Sequence, residues 1–258
     1  MNGSENTKIT LTINSTLLEL FSDWLDKCFI KRDAFINNLI SIESERLGEE
    51  MKGFKQSKEA RQYLINRLKR TDTKTINVVV KKSVANKLKN VVETHGISRD
   101  CFINRLLLLV ALPEGVKYEL WMASSINLMS ADIDLHDGFD DIEIPTSALD
   151  GIYSYISDPL KFLRICVYED EPENKLYKSS FYAPKLLKHL DEKVKEGEVS
   201  SKELSDFKDM LEASACYIAD WELPKHQDYN EEKIKNIENP PKKSALEELL
   251  MKPHKPGG

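Results

Sequence analysis

The stretch Ile30-Lys31-Arg32-Asp33-Ala34-Phe35-Ile36-Asn37-Asn38-Leu39 occurs a second time, 67 positions later, as Ile97-Ser98-Arg99-Asp100-Cys101-Phe102-Ile103-Asn104-Arg105-Leu106. Seven of these ten positions are identical. The correspondence continues upstream without a gap, since residues 9–13 fall on residues 76–80. An ungapped internal repeat of this kind indicates two copies of one structural unit. We call residues 7–47 the first repeat and residues 74–112 the second repeat.

Each repeat begins with alternating apolar and polar residues. In the first repeat, Ile9, Leu11 and Ile13 fall on one face of a predicted strand, and the polar residues beside them fall on the other face. The segment 75–80 has a similar alternation. Each repeat is therefore predicted to begin with a short strand that is buried on one face.

Two helices are predicted after the first strand. Asn14 or Ser15 caps a helix whose apolar residues recur at helical spacing as far as Cys28. After a brief turn, a second helix is predicted from about Arg32 to Leu47. The first repeat is thus predicted to fold as strand, helix, turn and helix.

The second repeat predicts the same order of elements with clearer boundaries. Ser83 is expected to cap a helix that runs to about Thr94, and Gly96 to end it in a left-handed conformation. Ser98 is expected to cap the next helix, and Pro113 ends the repeat.

The charges of the chain are divided between its two halves. Residues 1–112 contain 19 Lys and Arg against 13 Asp and Glu, and the remaining residues contain 18 against 30. The formal net charge of −6 therefore combines a basic front with an acidic back. A basic N-terminal part is suited to binding a polyanion. An acidic C-terminal part is suited to a solvated domain or to binding a protein partner.

The composition and patterns predict an α+β fold that is mostly helical. The predicted organisation begins with a first domain at 1–47, which contains the first repeat, and a basic helical connector at 48–73. The second repeat at 74–112, an acidic α+β domain at 113–223 and a disordered, flexible tail at 224–258 follow. Strands are expected at 139–144, 165–170 and 175–182, and helices at 116–129, 146–157, 184–196 and 200–222.

The connector contains many Lys and Arg side chains along a helical pattern. They form either a solvated helix face or a nonspecific track for phosphates. Its end at residues 71–73 is expected to be flexible.

Two strand-helix-helix units can bury each other, because their strands can pair antiparallel over four interlocked helices. The outer face of such a pair is a narrow ribbon that fits the major groove of B-DNA. The Lys-x-Thr-x-Thr face and the Ile-Ser-Arg-Asp turn resemble the ribbon-helix-helix family of DNA-binding proteins, which includes the Arc and MetJ repressors. The resemblance covers residues 7–47 and 74–112 and implies a tandem pseudo-dimer in one chain, although pairing between two chains remains an alternative.

The resemblance implies two sets of DNA contacts. The outward strand residues would read base edges in the major groove: Lys8, Thr10, Thr12, Thr75, Asn77 and Val79. The start of each second helix would hold a backbone phosphate: Lys31, Arg32, Ser98 and Arg99. Asp33 and Asp100 lie beside these positions and would repel DNA unless the preceding arginines offset their charge. Because the two ribbons differ, an operator with unlike half-sites is expected.

The leading functional hypothesis is a sequence-specific double-stranded DNA-binding protein that acts as a transcriptional repressor. One alternative is an antitoxin-like regulator whose residues 113–258 bind and restrain a protein partner. Another is an accessory DNA-binding protein in plasmid transfer or segregation. A homo-oligomer is also compatible with the sequence.

No catalytic motif, cofactor motif or metal site is predicted. The cluster of acidic residues at 132–141 does not have the spacing of a calcium loop, so a solvated acidic segment is expected. Four separated cysteines indicate reduced thiols in a cytoplasmic protein. No apolar run is long enough to span a membrane. We therefore expect a non-enzymatic, cytoplasmic protein.

Overall fold

The computed structural model describes residues 5–111, 158–160, 164, 195, 200–218, 220 and 223. The chain divides into two compact units, residues 1–220 and residues 221–258. Apart from single positions, the strands and helices predicted between residues 113 and 199 lie outside the described residues, as does the predicted tail.

Eight regular elements fall within the described residues. They are strand β1 (Asn6–Asn14), helices α1 (Ser15–Lys27), α2 (Arg32–Glu50) and α3 (Lys58–Arg70), strand β2 (Thr73–Lys81), and helices α4 (Lys82–His95), α5 (Arg99–Ala111) and α6 (Ser201–Ser214). The described part of the chain is therefore mostly helical with one small sheet, which confirms the α+β prediction at this level.

The sheet is a two-stranded antiparallel ribbon made by β1 and β2. Its register runs from Asn6 opposite Lys81 to Asn14 opposite Thr73. Thr10 lies opposite Asn77 near the centre, and these two residues are also separated by 67 positions in the sequence. The strands of the two repeats thus meet at equivalent positions.

The second helix of each repeat packs against the other repeat. Helix α2 contacts α4 and β2, whereas α5 contacts α1 and β1. The inward residues of both strands and the apolar faces of these four helices form one hydrophobic core. Each fully buried leucine or phenylalanine in such a core contributes about 1.5–3 kcal/mol relative to an exposed one. The two repeats therefore stabilise each other.

Helix α5 is buried on all sides. Every residue from Cys101 to Val110 is buried, including Asn104 and Arg105. Helix α1 covers one side of α5, and α6 packs against it as well. A helix that is apolar on nearly every face needs such cover. Helix α6 thus belongs to the same core as the two repeats.

The first helix of each repeat, α1 or α4, starts in a different way, and the cap predicted for α4 is wrong. Asn14 caps α1, since its side chain accepts a 3.0 Å hydrogen bond from Leu17 N. Ser83 does not cap α4, because β2 passes directly into a helix that begins at Lys82. Ser83 therefore already lies in the first turn. The Lys82 N–H donates instead to the Glu5 carbonyl at 2.9 Å.

The connector also differs from its prediction. Helix α2 continues past Leu47 to Glu50. Residues 71–73, which were expected to be flexible, make regular contacts: the Thr71 hydroxyl donates to the Leu68 carbonyl at 2.9 Å, and Thr73 already belongs to β2.

The helix predicted at 200–222 ends early, at Ser214. Ala215 and Cys216 then enter the core. The Ile218 N–H donates to Gln56 Oε1 at 2.9 Å, which fixes the chain in a non-helical path. Tertiary contacts thus override the helical pattern here.

Among the helices in the described segments, none has the length and apolar character that crossing a membrane requires.

Candidate nucleic-acid interface

The outer face of the ribbon carries the six residues predicted to read base edges. Thr12 is half-buried, and the other five are exposed: Lys8, Thr10, Thr75, Asn77 and Val79. The alternate residues of both strands point inward, and the innermost of them are fully buried. The structure therefore brings the predicted set together on one solvent-facing surface. Their role in base reading stays a prediction.

The centre of this face is already organised by a hydrogen bond between the strands. The Thr10 hydroxyl donates to Asn77 Oδ1 at 2.9 Å. This leaves the Asn77 amide nitrogen as a donor, while its oxygen has a second lone pair. A side-chain amide with both a donor and an acceptor can make a bidentate bond to adenine. The Thr10 contact holds Asn77 in a defined position for such a bond.

Arg32 and Arg99 bind the ribbon, which the sequence did not predict. Arg32 Nη2 donates to the Asn77 carbonyl at 3.1 Å, and Arg99 Nη2 donates to the Thr10 carbonyl at 2.6 Å. The two contacts are equivalent in the repeat. Each arginine therefore fixes the central residue of the strand that belongs to the other repeat.

Asp33 and Asp100 hold these arginines in place. Arg32 Nη2 lies 2.8 Å from Asp33 Oδ1, and Arg99 Nη2 lies 2.8 Å from Asp100 Oδ1. Asp33 Oδ2 also accepts the Val79 N–H at 2.9 Å. These carboxylates are thus engaged by protein donors beside the ribbon. That the arginines offset their repulsion of DNA stays a prediction.

The environment of Asp33 favours its charged form. Partial burial is the largest single influence and raises its pKa. The hydrogen bond from Val79 N–H and the hydrogen bond and charge of Arg32 oppose this and together hold the pKa of Asp33 below its ordinary value of 3.8. Asp33 is therefore a carboxylate at neutral pH.

Asn37 and Asn104 complete the same arrangement one turn further along each helix. Asn37 Oδ1 accepts the Lys81 N–H at 2.9 Å. Asn104 Oδ1 accepts the Asn14 N–H at 2.9 Å, and its Nδ2 donates to the Thr12 carbonyl at 2.9 Å. Both asparagines therefore pair with backbone groups on the open edge of a strand from the other repeat.

These contacts explain the seven identities in the repeated stretch. Three of the identical positions act at the ribbon edge: the arginine and the asparagine of each repeat bond to strand backbone groups, Asp33 does so as well, and Asp100 binds Arg99. The other four are apolar and lie in the core or pack against it. A two-stranded ribbon has two edges with unpaired backbone groups. The sequence signal for Asn37 and Asn104 was their identity in the repeat.

The four predicted phosphate contacts lie at the starts of α2 and α5. Lys31 is exposed and makes no side-chain cap bond. Ser98 is buried and accepts the Cys101 N–H at 3.5 Å, as expected for a cap. The side chains of Arg32 and Arg99 are each 42% exposed. A phosphate would meet the Nη1 side of each guanidinium, because Nε and Nη2 are engaged. Phosphate binding stays a prediction.

The turn before each of these helices has a left-handed residue. Gly96 has φ 68°, and a Cβ atom there would lie 2.5 Å from the Gln56 carbonyl oxygen. Phe29, at the equivalent position, has φ 56° and is 96% exposed. The glycine is required by close packing, whereas the phenylalanine is strained without being buried.

Within the described residues, no group of His, Cys, Asp and Glu side chains is arranged to hold a metal ion. The predicted acidic segment at 132–141 lies outside these residues.

One comparison with known proteins gives a match. Residues 49–108 match the family model described as replication regulatory protein RepB. The matched segment contains the last two residues of α2, all of α3, β2 and α4, and most of α5. It covers less than half of the chain and does not include the first repeat. No curated protein and no solved structure matches the chain.

Proposed function

We propose that this chain is a sequence-specific double-stranded DNA-binding protein that regulates replication, and that it acts as a repressor by occupying an operator. In this proposal the two repeats form a tandem ribbon-helix-helix unit, and the β1–β2 ribbon lies in the major groove. The chain has no catalytic role in it.

The observation that carries the proposal is the outer face of the ribbon. Its opposite face is packed into the core, and its two edges are bound by side chains of α2 and α5. Within the described residues, the outer face therefore presents most of the exposed side chains of the ribbon to a partner. A two-stranded ribbon is of a size that the major groove admits, and side chains such as Lys8, Thr10 and Asn77 can bond to base edges.

Two further observations support a DNA partner. The described N-terminal half is basic, with 19 Lys and Arg against 13 Asp and Glu in residues 1–112. The family model matched by residues 49–108 is named for replication regulation. Repression of a replication gene through binding to its operator would agree both with the description of that family and with the predicted DNA binding.

The experiment selects bound fragments from a random double-stranded DNA library with the full-length protein at moderate salt. The double variant Thr10→Ala/Asn77→Ala is compared with the wild type. Loss of a base-edge contact costs on the order of 1–3 kcal/mol at the specific site, and nonspecific binding should change little. The matched control is Thr94→Ala/Asn90→Ala, which removes the same side chains from exposed positions of α4.

A short enriched motif that is lost in the ribbon variant and kept in the control supports the proposal. Equal enrichment by all three proteins would contradict base reading by the ribbon. Binding that depends on salt alone, with no enriched motif, would contradict sequence specificity.

A further inference from the structure

A groove of about 720 Å³ lies beside the β1 edge of the ribbon, and helices α3 and α4 supply most of its walls. Strand β1 contributes Thr7, Ile9 and Thr12, and the start of α5 contributes Ser98, Arg99 and Asp100. We call it the α3–α4 groove. The groove begins beside the ribbon and continues along α3, so it is adjacent to the outer face of the ribbon.

The lining of the groove is strongly cationic. Its five cationic side chains come from three helices: Arg61 and Lys69 of α3, Lys82 and Lys89 of α4, and Arg99 of α5. Only two of the lining residues carry a carboxylate, Glu93 and Asp100, and Asp100 is already bound by Arg99. The groove therefore has a surplus of positive charge along its length.

The three lysines of the groove form no ion pair with a carboxylate of the described residues. Neighbouring lysines outside the groove do. Lys74 Nζ lies 2.7 Å from Glu19 Oε1, and Lys87 Nζ lies 2.7 Å from Glu45 Oε2. The groove thus differs from a solvated helix face on which opposite charges alternate.

The first repeat has a pocket with a different lining at the equivalent position. The equivalent pocket, at the turn between α1 and α2, is lined by two cations and two carboxylates, and no residue of α3 lines it. Shifted by 67 positions, Lys82 and Lys89 correspond to Ser15 and Ser22. Two otherwise equivalent sides of the ribbon therefore differ in charge.

We propose that the α3–α4 groove binds the phosphate backbone of double-stranded DNA next to the site read by the ribbon, so that the protein contacts a longer stretch of backbone on one side than on the other. The inference rests on the proposed DNA-binding function and assigns α3 a role in phosphate binding. Lysine and arginine side chains bind phosphates without regard to sequence, so the groove adds affinity and orientation but not base specificity.

The test is hydroxyl-radical footprinting and salt titration of the full-length protein on a duplex enriched from the random library. Lys69→Gln/Lys89→Gln removes one charge from each wall of the groove, at exposed positions. Lys195→Gln/Lys202→Gln removes the same charge from exposed positions outside both repeats and the connector, and neither residue lines the groove. The wild type should protect additional backbone on one side of the central site.

The groove variant should lose that additional protection and keep the central protection. Its plot of log affinity against log salt should be shallower by about 2, since each phosphate contact contributes a slope of about 0.9. The control should behave like the wild type. A symmetric wild-type footprint, or a groove variant equal to the control, would overturn the inference.

The two proposals fail in distinguishable ways. If Thr10→Ala/Asn77→Ala loses the motif but the groove variant equals its control, only the groove inference is overturned. If the groove variant weakens binding but the ribbon variant behaves like the wild type, the groove is supported and base reading is overturned. A wild-type protein that binds no duplex DNA would overturn both.

Discussion

Thr10 and Asn77 lie opposite each other at the centre of the ribbon, and the Thr10 hydroxyl donates a 2.9 Å hydrogen bond to Asn77 Oδ1. They occupy equivalent positions of the two repeats but have different side chains. The repeat therefore places unlike groups at the point where its two copies meet. This difference is the structural basis for expecting an operator with unlike half-sites.

Asn77→Asp tests the chemistry at this point. The carboxylate keeps an acceptor for the Thr10 hydroxyl, but it removes the amide donor and places a negative charge on the outer face. We expect at least about a tenfold loss of specific DNA affinity, which corresponds to roughly 1.4 kcal/mol. Fluorescence anisotropy with an enriched duplex measures it, and Asn90→Asp on the exposed side of α4 is the control. Wild-type affinity in Asn77→Asp would contradict the assigned role of Asn77.

The edge contacts predict unequal costs for two equivalent asparagines. Asn104 is fully buried and bonds to Asn14 N and the Thr12 carbonyl, whereas Asn37 is half-buried and bonds to Lys81 N. Asn104→Ala leaves buried backbone groups unpaired, at a cost of about 1–3 kcal/mol, and Asn37→Ala removes a more exposed bond, at about 0.5–1.5 kcal/mol. Urea unfolding of both variants measures the difference. An equal or larger loss in Asn37→Ala would contradict the edge assignment.

The two left-handed turn residues predict different effects on stability. Gly96→Ala should lower the free energy of unfolding by more than about 1 kcal/mol, because the new Cβ meets the Gln56 carbonyl at a strained φ. Phe29→Gly should leave it unchanged or raise it by up to about 1 kcal/mol, because it relieves strain at an exposed site. Thermal and urea unfolding of both variants test the pair. A marked destabilisation by Phe29→Gly would show that the phenylalanine contributes to folding.

The lowered pKa of Asp33 predicts a pH dependence of stability. Partial burial raises this pKa, but the bonds from Val79 N–H and Arg32 outweigh it. The folded state therefore holds the proton less tightly than the unfolded state does, so the stabilisation is present above the ordinary value of 3.8. It is lost as the pH falls through the lower, folded value.

Asp33→Asn removes this titration. The difference in unfolding free energy between the wild type and the variant should be constant near neutral pH and shrink as the pH falls below about 3.8. Urea unfolding from pH 3 to pH 7 measures it. A difference that grows on acidification would mean that the bonds to Val79 and Arg32 do not favour the carboxylate.

The buried thiols of Cys101 in α5 and Cys216, which follows α6, give a test of the burial of both segments in the core. Burial raises the pKa of Cys101 to about 12 and also raises the pKa of Cys216. The thiolate is the reactive form, so both residues should resist iodoacetamide at pH 8 until the protein unfolds. Mass spectrometry of the native protein checks this. Rapid modification of either thiol without denaturant would contradict the burial of that thiol in the core.

The repeat and the period of the apolar residues were enough to predict both strands, the two helices after each and the outward residues of the ribbon. These features depend on residues close together in the sequence. The contacts of Arg32 and Arg99 with strand carbonyls were not predicted, because they join the start of one helix to a strand of the other repeat. The domain boundary at residue 113, the antitoxin-like alternative and the homo-oligomer stay predictions.

The packing of α6 could not be found from periodicity either. The leucines of α5 indicate that the helix needs cover, but they do not indicate which segment supplies it. Arg105, which is fully buried beside Cys216, would be assigned to a surface from its type alone. The α3–α4 groove likewise depends on how closely two helices approach, which their separate sequences do not give.

The most direct test of ribbon reading replaces central purines of an enriched duplex by their 7-deaza analogues, which lack the N7 acceptor in the major groove. We predict that the wild type loses affinity for the modified duplex, whereas Thr10→Ala/Asn77→Ala, which has already lost these contacts, shows a smaller loss or none. Equal wild-type affinity for the modified and unmodified duplexes, at every central purine, would contradict a ribbon that reads DNA through the major groove.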